Sequence, residues 1–167
     1  MRFKPLEQLE RKYEIKESES NDSGYFGKIY RLDDGNVVKI PYDKYGGGNL
    51  LNNERINVTL HREAKVQTFA NKMDLSFPEV KGIYAIKGKE SGAYFPGLVM
   101  EDLGDTCLED LEGEVLKEAN RQYDEQKSTA KDIGFIMQDR NNKNAMWKDG
   151  RTRMCDAGKL KVDNGIN

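Results

Sequence analysis

A lysine set among β-branched residues is the feature that most restricts what this chain can fold into. Asn36-Val37-Val38-Lys39-Ile40 follows the turn signal Asp33-Asp34-Gly35 and stops at Pro41, so the pattern predicts a short strand. Alternation along a strand puts Val37 and Lys39 on one face, with Val38 and Ile40 on the other. The ammonium therefore points where Val37 points, into whatever lies beneath the sheet. Residues 12–16 and 26–32 carry further strand formers (Tyr13, Ile15; Phe26, Ile29, Tyr30, Leu32), joined by the polar stretch Glu17 to Gly24. Three antiparallel strands are expected.

Composition narrows the function classes. A chain of 167 residues makes one domain, or two small lobes sharing a cleft. Charged residues make up 34% and apolar ones 37%, and the formal net charge of -2 offers no basic footprint, so nucleic acid is not the expected partner. Cys107 and Cys155 lie too far apart for a metal-binding pair, which suits reduced thiols in a cytoplasmic protein. No apolar run approaches the roughly 20 residues that span a bilayer, and no signal peptide is visible, so no membrane partner is expected. With His61 alone and no G-x-S-x-G, a serine-hydrolase triad is not expected.

Beyond the glycine-rich loop Tyr45 to Gly48, residues 53–73 read as a helix with Asn53 as N-cap and an apolar stripe at Val66, Phe69, Ala70 and Met73. Glu63 borders that stripe, and so does Arg62. Val80 to Ile86 and Tyr94 to Met100 form a hairpin pattern around residues 87–92. Residues 106–133 carry helical spacing at Leu108, Leu111, Val115, Leu116 and Ala119, and then Tyr123, Ala130 and Ile133, which suggests two helices. Gly134 to Met137 is a short apolar strand. Residues 145–155 form a second hairpin about Lys148-Asp149-Gly150, with Trp147 expected in the core.

Several segments invite a chemical reading. Gly24 and Gly27 in Ser23-Gly24-Tyr25-Phe26-Gly27 let a backbone approach a ligand closely, because neither has a Cβ. Asp139 is followed by Asn144, and then by Asp156-Ala157-Gly158. Each has an ordinary alternative: a hairpin turn, a solvated helical acid, an edge strand, a polar loop. Their order along the chain is the informative part.

The glycine turn, Val37-Val38-Lys39, Glu63, Gly97-Leu98-Val99-Met100-Glu101-Asp102-Leu103-Gly104, and Asp139/Asn144/Asp156 together resemble the protein kinase-like superfamily, in a small form such as phages or bacteria encode. The likeness runs from about residue 12 to 158. It implies an α+β, two-lobe fold. Residues 1–103 would be an antiparallel β-sheet lobe with one main helix, ending at a hinge. Residues 104–167 would be an abbreviated, mostly helical lobe with the catalytic and metal-binding loops. The implied cofactors are ATP and Mg2+. Lys39 would bind the α- and β-phosphates and Glu63 would position it, with Glu54 the alternative. Gly24 and Gly27 would cover the phosphates. Ile29 and Val37 would cover the purine from above, Met100 would be the gatekeeper, and Glu101 and Leu103 would contact adenine through their backbones. Asp139 would take the acceptor proton, Lys143 would neutralise charge on the transferring phosphoryl, and Asn144 and Asp156 would hold the metal.

The chain departs from the family pattern in four places. Asp22 stands where the loop's first glycine is expected. Met137-Gln138 replaces His-Arg before the catalytic Asp, and Ala157 replaces the Phe of Asp-Phe-Gly. Nine residues follow Gly158, so an activation segment and later helices have no counterpart in this sequence. The resemblance implies a Mg-ATP-dependent kinase acting on a protein or a small molecule. The alternative is a pseudokinase-like protein that binds nucleotide or a host protein without catalysis. A homodimer would cover apolar surface left by a shortened lobe.

Overall fold

Turn residues and strand alternation divide the first hundred residues as their chemistry dictates. The structure is a computed structural model. It describes residues 2–20, 22–24, 27–41, 54–137, 145–155 and 160–162, with backbone only at 22–24, 54–55 and 162. The architecture is α+β. The strands are β1 (Glu14–Ile15), β2 (Asp22–Gly24), β3 (Gly27–Arg31), β4 (Asn36–Pro41), β5 (Val80–Gly88), β6 (Tyr94–Glu101), β7 (Phe135–Met137), β8 (Ala145–Lys148), β9 (Arg151–Met154) and β10 (Leu160–Val162). Helix α1 spans Glu54–Lys72 and α2 spans Gly113–Asp132, with short 3-10 turns at Leu6–Gln8 and Leu108–Asp110. Two compact units result. One comprises Met1–Lys65 and Val80–Asp102, the other Val66–Glu79 and Leu103–Asn167.

The first unit is built on a six-stranded sheet of order β1-β5-β6-β4-β3-β2. The four pairings β2–β3, β3–β4, β4–β6 and β6–β5 are antiparallel. The expected strand at 12–16 does not join the 26–32 strand. Its core, β1, runs parallel to β5 at the sheet edge, and the third antiparallel strand is β2 instead. Residues 10–15 take this path because the β5 edge offers amides: Ala85, Lys87 and Lys89 N–H donate to the carbonyls of Glu10, Tyr13 and Ile15. Gly35 makes its turn with φ +80, a backbone region that costs glycine little.

Each face of this sheet has its own core. Tyr30, Val38, Ile40 and Val99 pack with Ile15, Leu32, Ile86 and Phe95. Gly97 permits that packing, since a Cβ there would come 2.5 Å from Val38 Cγ2 and 2.6 Å from Ile86 Cγ1. On the other face Leu98 packs against Ile56, Leu60 and Ala64 of α1. Burial of such side chains contributes about 1.5–3 kcal/mol each for the larger ones. The stripe expected at Val66, Phe69, Ala70 and Met73 is buried only in part. Ala70 is inside, whereas Phe69 and Met73 are 47% and 38% exposed. The covered line of α1 runs instead through Ile56, Leu60, Glu63, Ala64, Gln67 and Ala70, which holds the same helical period along a different face. Asn53, the expected N-cap, lies outside the described residues.

In the second unit α2 is one helix, preceded by the 3-10 turn at 108–110 in place of a second α-helix. Its buried Ala119, Tyr123 and Ala130 pack with Leu108, Phe135, Ala145 and Met154, and Trp147 is partly buried against them. The β8–β9 hairpin turns through Asp149 and Gly150, both at positive φ, the backbone a two-residue hairpin loop prefers. β7 pairs with β10.

Candidate functional site

Register alone assembles one face of the first unit's sheet. Ile29 lies opposite Lys39, Val37 opposite Met100, and Lys39 opposite Leu98. Directly opposed residues in antiparallel strands share a face. Ile29, Val37, Lys39, Leu98 and Met100 therefore form one surface, the one that carries α1 at Leu98. The lysine strand β4 and the strand β6 that ends at Glu101 are hydrogen-bonded neighbours.

Glu63 reaches that surface from α1. Lys39 Nζ donates to Glu63 Oε1 at 2.8 Å, and the two side chains are 11% and 8% exposed. Helical phase explains the choice of acid. Glu63 falls three residues after Leu60 and seven after Ile56, on the covered line, while Arg62 is exposed. The side chain of Glu54, the alternative partner, lies outside the described residues. A lysine and a carboxylate in so little water make a charge-assisted hydrogen bond, and each charge costs several kcal/mol to bury unpaired.

Gly27 is buried, and its lack of a Cβ has a visible reason. A Cβ would come 2.6 Å from Ile40 O and 3.0 Å from Pro41 Cα. The close approach is to the chain's own β4 backbone. Gly24 is paired with Gly27 between β2 and β3, while Tyr25 and Phe26 lie outside the described residues. Val37 and Met100 are 7% and 5% exposed, and Ile29 is half-buried. Glu101 closes β6 opposite Asn36 and is half-buried, and Leu103 is buried. Arg31 Nε donates to Asp102 Oδ2 at 3.0 Å, joining β3 to the residue that follows β6. Asp139, Lys143, Asn144 and Asp156 lie outside the described residues. Among the described residues no cluster of three His, Cys, Asp or Glu is placed to hold a metal ion, and no helix is long and apolar enough to cross a membrane.

Two residues that sequence reasoning did not single out for this face are Asn57 and His61, one turn apart on α1 and only 1% and 4% exposed. Both bind the backbone of Lys4. Their spacing of four along a helix was the available signal, but their partner is a main-chain group with no signature of its own.

What this face can do is hold a cation at fixed height above a sheet, beside apolar side chains. That combination fits in kind an anionic ligand with an apolar ring: cation for phosphate, Ile29, Val37 and Met100 for the ring. Neither a scan against protein-family models nor a comparison with curated proteins finds a match for this chain.

Proposed function

We propose that this protein is a Mg-ATP-dependent phosphotransferase of the kinase-like kind, with a two-lobe architecture. The reading rests chiefly on one observation, the buried 2.8 Å Lys39–Glu63 pair joining a sheet strand to a helix. Such a pair is expensive to bury and is weak evidence of stability by itself. A phosphate-binding role gives it a purpose, because a carboxylate that fixes an ammonium also aims its N–H groups. The apolar neighbours Ile29, Val37 and Met100 on the same face support a purine above the lysine.

In this reading Gly24 and Gly27 bring backbone close to the phosphates, and the main chain at Glu101 and Leu103 meets the base. Asp139 accepts the proton of the attacking hydroxyl, and Lys143 offsets charge on the phosphoryl in flight. Asn144 and Asp156 supply oxygen ligands of the kind Mg2+ prefers, and the ion neutralises phosphate charge when bound.

Incubation with γ-labelled ATP and Mg2+ tests the reading. Wild-type protein transfers label to itself or to an added protein. Asp139→Ala lowers the rate by about a hundredfold or more, as expected for loss of a general base. Asp156→Ala, which removes a metal ligand, lowers transfer and raises the Mg2+ concentration that it needs. Absence of both transfer and any Mg-ATP-induced rise in Tm would remove the proposal. Stabilisation by nucleotide without transfer would mark a binding protein that has lost catalysis.

A further inference from the structure

The N-terminal segment holds α1 on the flank of its covered line opposite Glu63, the residue that pairs with Lys39. His61 and Asn57 grip a single residue from two directions. The Lys4 N–H donates to His61 Nε2 at 3.3 Å, and Asn57 Nδ2 donates to Lys4 O at 2.8 Å. Because Nε2 accepts, the ring proton sits on Nδ1, which donates to Asn57 O at 2.9 Å. The Phe3 ring stacks obliquely on the imidazole, with centroids 4.9 Å apart. From Lys4 the chain continues through buried Leu9 to residues 10–15, which are hydrogen-bonded along β5. The segment therefore ties α1 to the far edge of the same sheet.

Apolar contact alone does not fix α1 in rotation. Ile56, Leu60 and Ala64 against Leu98 set the distance between helix and sheet, yet such packing has no direction. Hydrogen bonds have direction. The two that reach Lys4 leave α1 from Asn57 and His61, on the flank of the sheet-facing line away from Glu63, while the later turns of α1 are held separately, by Gln67 Nε2 donating to Pro78 O at 2.6 Å and by Asn71 bonded to Phe77. A rotation of α1 that carried Glu63 off Lys39 would break both.

We propose that His61 is a positioning residue. Its bond to the Lys4 backbone holds α1 in the rotation at which Glu63 meets Lys39, and so keeps the ammonium aimed for phosphate. This deepens the phosphotransferase reading and rests on it for the purpose of the pair. The coupling itself is measured without nucleotide.

The test is the acylation rate of Lys39 by an N-hydroxysuccinimide ester in the full chain, read by peptide mass spectrometry against exposed Lys89. Lys4→Pro deletes the donated N–H from the segment's side and leaves every α1 side chain in place. His61→Phe keeps a ring for Phe3 and deletes the acceptor. Each raises the relative Lys39 rate about fivefold, the population shift expected from one net hydrogen bond. The double variant rises no further, and His61→Gln, which restores an acceptor oxygen, stays within about twofold of wild type. A Lys39 rate unchanged in Lys4→Pro, or effects that multiply to about 25-fold in the double variant, would overturn the inference. If His61→Phe fails to fold, Lys4→Pro decides alone. A Lys4→Pro chain without native circular dichroism also overturns it, since the segment would then support the whole unit and not the pair. Protection of wild-type Lys39 by Mg-ATP is a separate arm. Its failure counts against the nucleotide reading and leaves the coupling standing.

Discussion

Lys39 on β4 and Glu63 on α1 are joined at 2.8 Å across a space that leaves their side chains 11% and 8% exposed. Removing one partner leaves the other charge in a poorly hydrated place. Lys39→Met is expected to lower unfolding free energy by about 3 kcal/mol, measured by urea denaturation. The paired change Lys39→Met with Glu63→Leu recovers most of that loss, because the Glu63 charge is then no longer stranded. A single-variant loss below about 0.5 kcal/mol would place the pair among solvated surface bridges and weaken the phosphate argument with it.

In the second unit one glutamine fastens two segments to α2. Gln126 Oε1 accepts the Ser76 N–H at 2.9 Å, and its Nε2 donates to Thr152 O at 2.7 Å. Gln126→Ala strands both backbone groups and is expected to cost about 1–3 kcal/mol by thermal or urea unfolding. Gln126→Glu keeps the Ser76 contact but turns an acceptor on the Thr152 carbonyl, so it is also destabilising. Near-neutral behaviour of both variants would mean water replaces the glutamine without loss.

The parts that were legible in the sequence are those with a local cause. β4 follows from Val37-Val38-Lys39-Ile40 between a turn and a proline, the β8–β9 hairpin from Asp149-Gly150, and α1 from helical spacing. The direction of Lys39 was legible because strand alternation dictates it, whereas helical phase left Glu63 and Arg62 open and only the resemblance favoured Glu63. The direction of β1 was not legible. Its partner is chosen by free amides on β5, a contact about seventy residues away that no pattern at 12–16 encodes. The outward turn of Phe69 and Met73 was hidden for a related reason. Two stripes of similar period fit α1, and only packing chooses the one through Leu60 and Glu63. The Lys4 contacts, 57 residues from His61, involve main chain and leave no trace in side-chain order.

Gly27 tests whether its backbone is tight for structural reasons. A methyl there meets Ile40 O at 2.6 Å and Pro41 Cα at 3.0 Å, neither being the free end of a side chain. Gly27→Ala is therefore expected to destabilise by about 1–3 kcal/mol through displacement of β3 from β4. Gly35→Ala serves as the comparison, since nothing lies within 4 Å of its Cβ position and only the φ of +80 opposes it. It should cost about 1 kcal/mol. A loss no larger than that of Gly35→Ala would show that β3 and β4 yield to the methyl, since Gly27 is not among the glycines at positive φ.

The turn after β5 carries an acid-sensitive lock. Glu17 accepts the backbone N–H groups of Glu90 and Ser91 at 3.0 Å each, and the Ser91 hydroxyl as well. Glu90 in return accepts the Ser18 N–H at 2.9 Å and its hydroxyl at 2.6 Å. Desolvation pushes the Glu17 carboxyl upward. The donors from Ser91, Glu90 and its own amide outweigh that and hold it at about 2, below the ordinary 4.5. A depressed folded value means the unfolded chain binds the proton first. The contribution is therefore complete above pH 4.5 and is lost as pH falls toward 2. With allowance for solvent screening, it is about 1–2 kcal/mol. Glu17→Gln, which has no such proton to take up, should show a shallower fall in stability across that interval, followed by urea midpoints at successive pH values. If wild type and Glu17→Gln fall in parallel, the carboxylate is not held by these donors in solution, and the pairing of β1 with β5 rests on the backbone bonds from Ala85, Lys87 and Lys89 together with the Ser18–Glu90 and Lys87–Glu14 contacts.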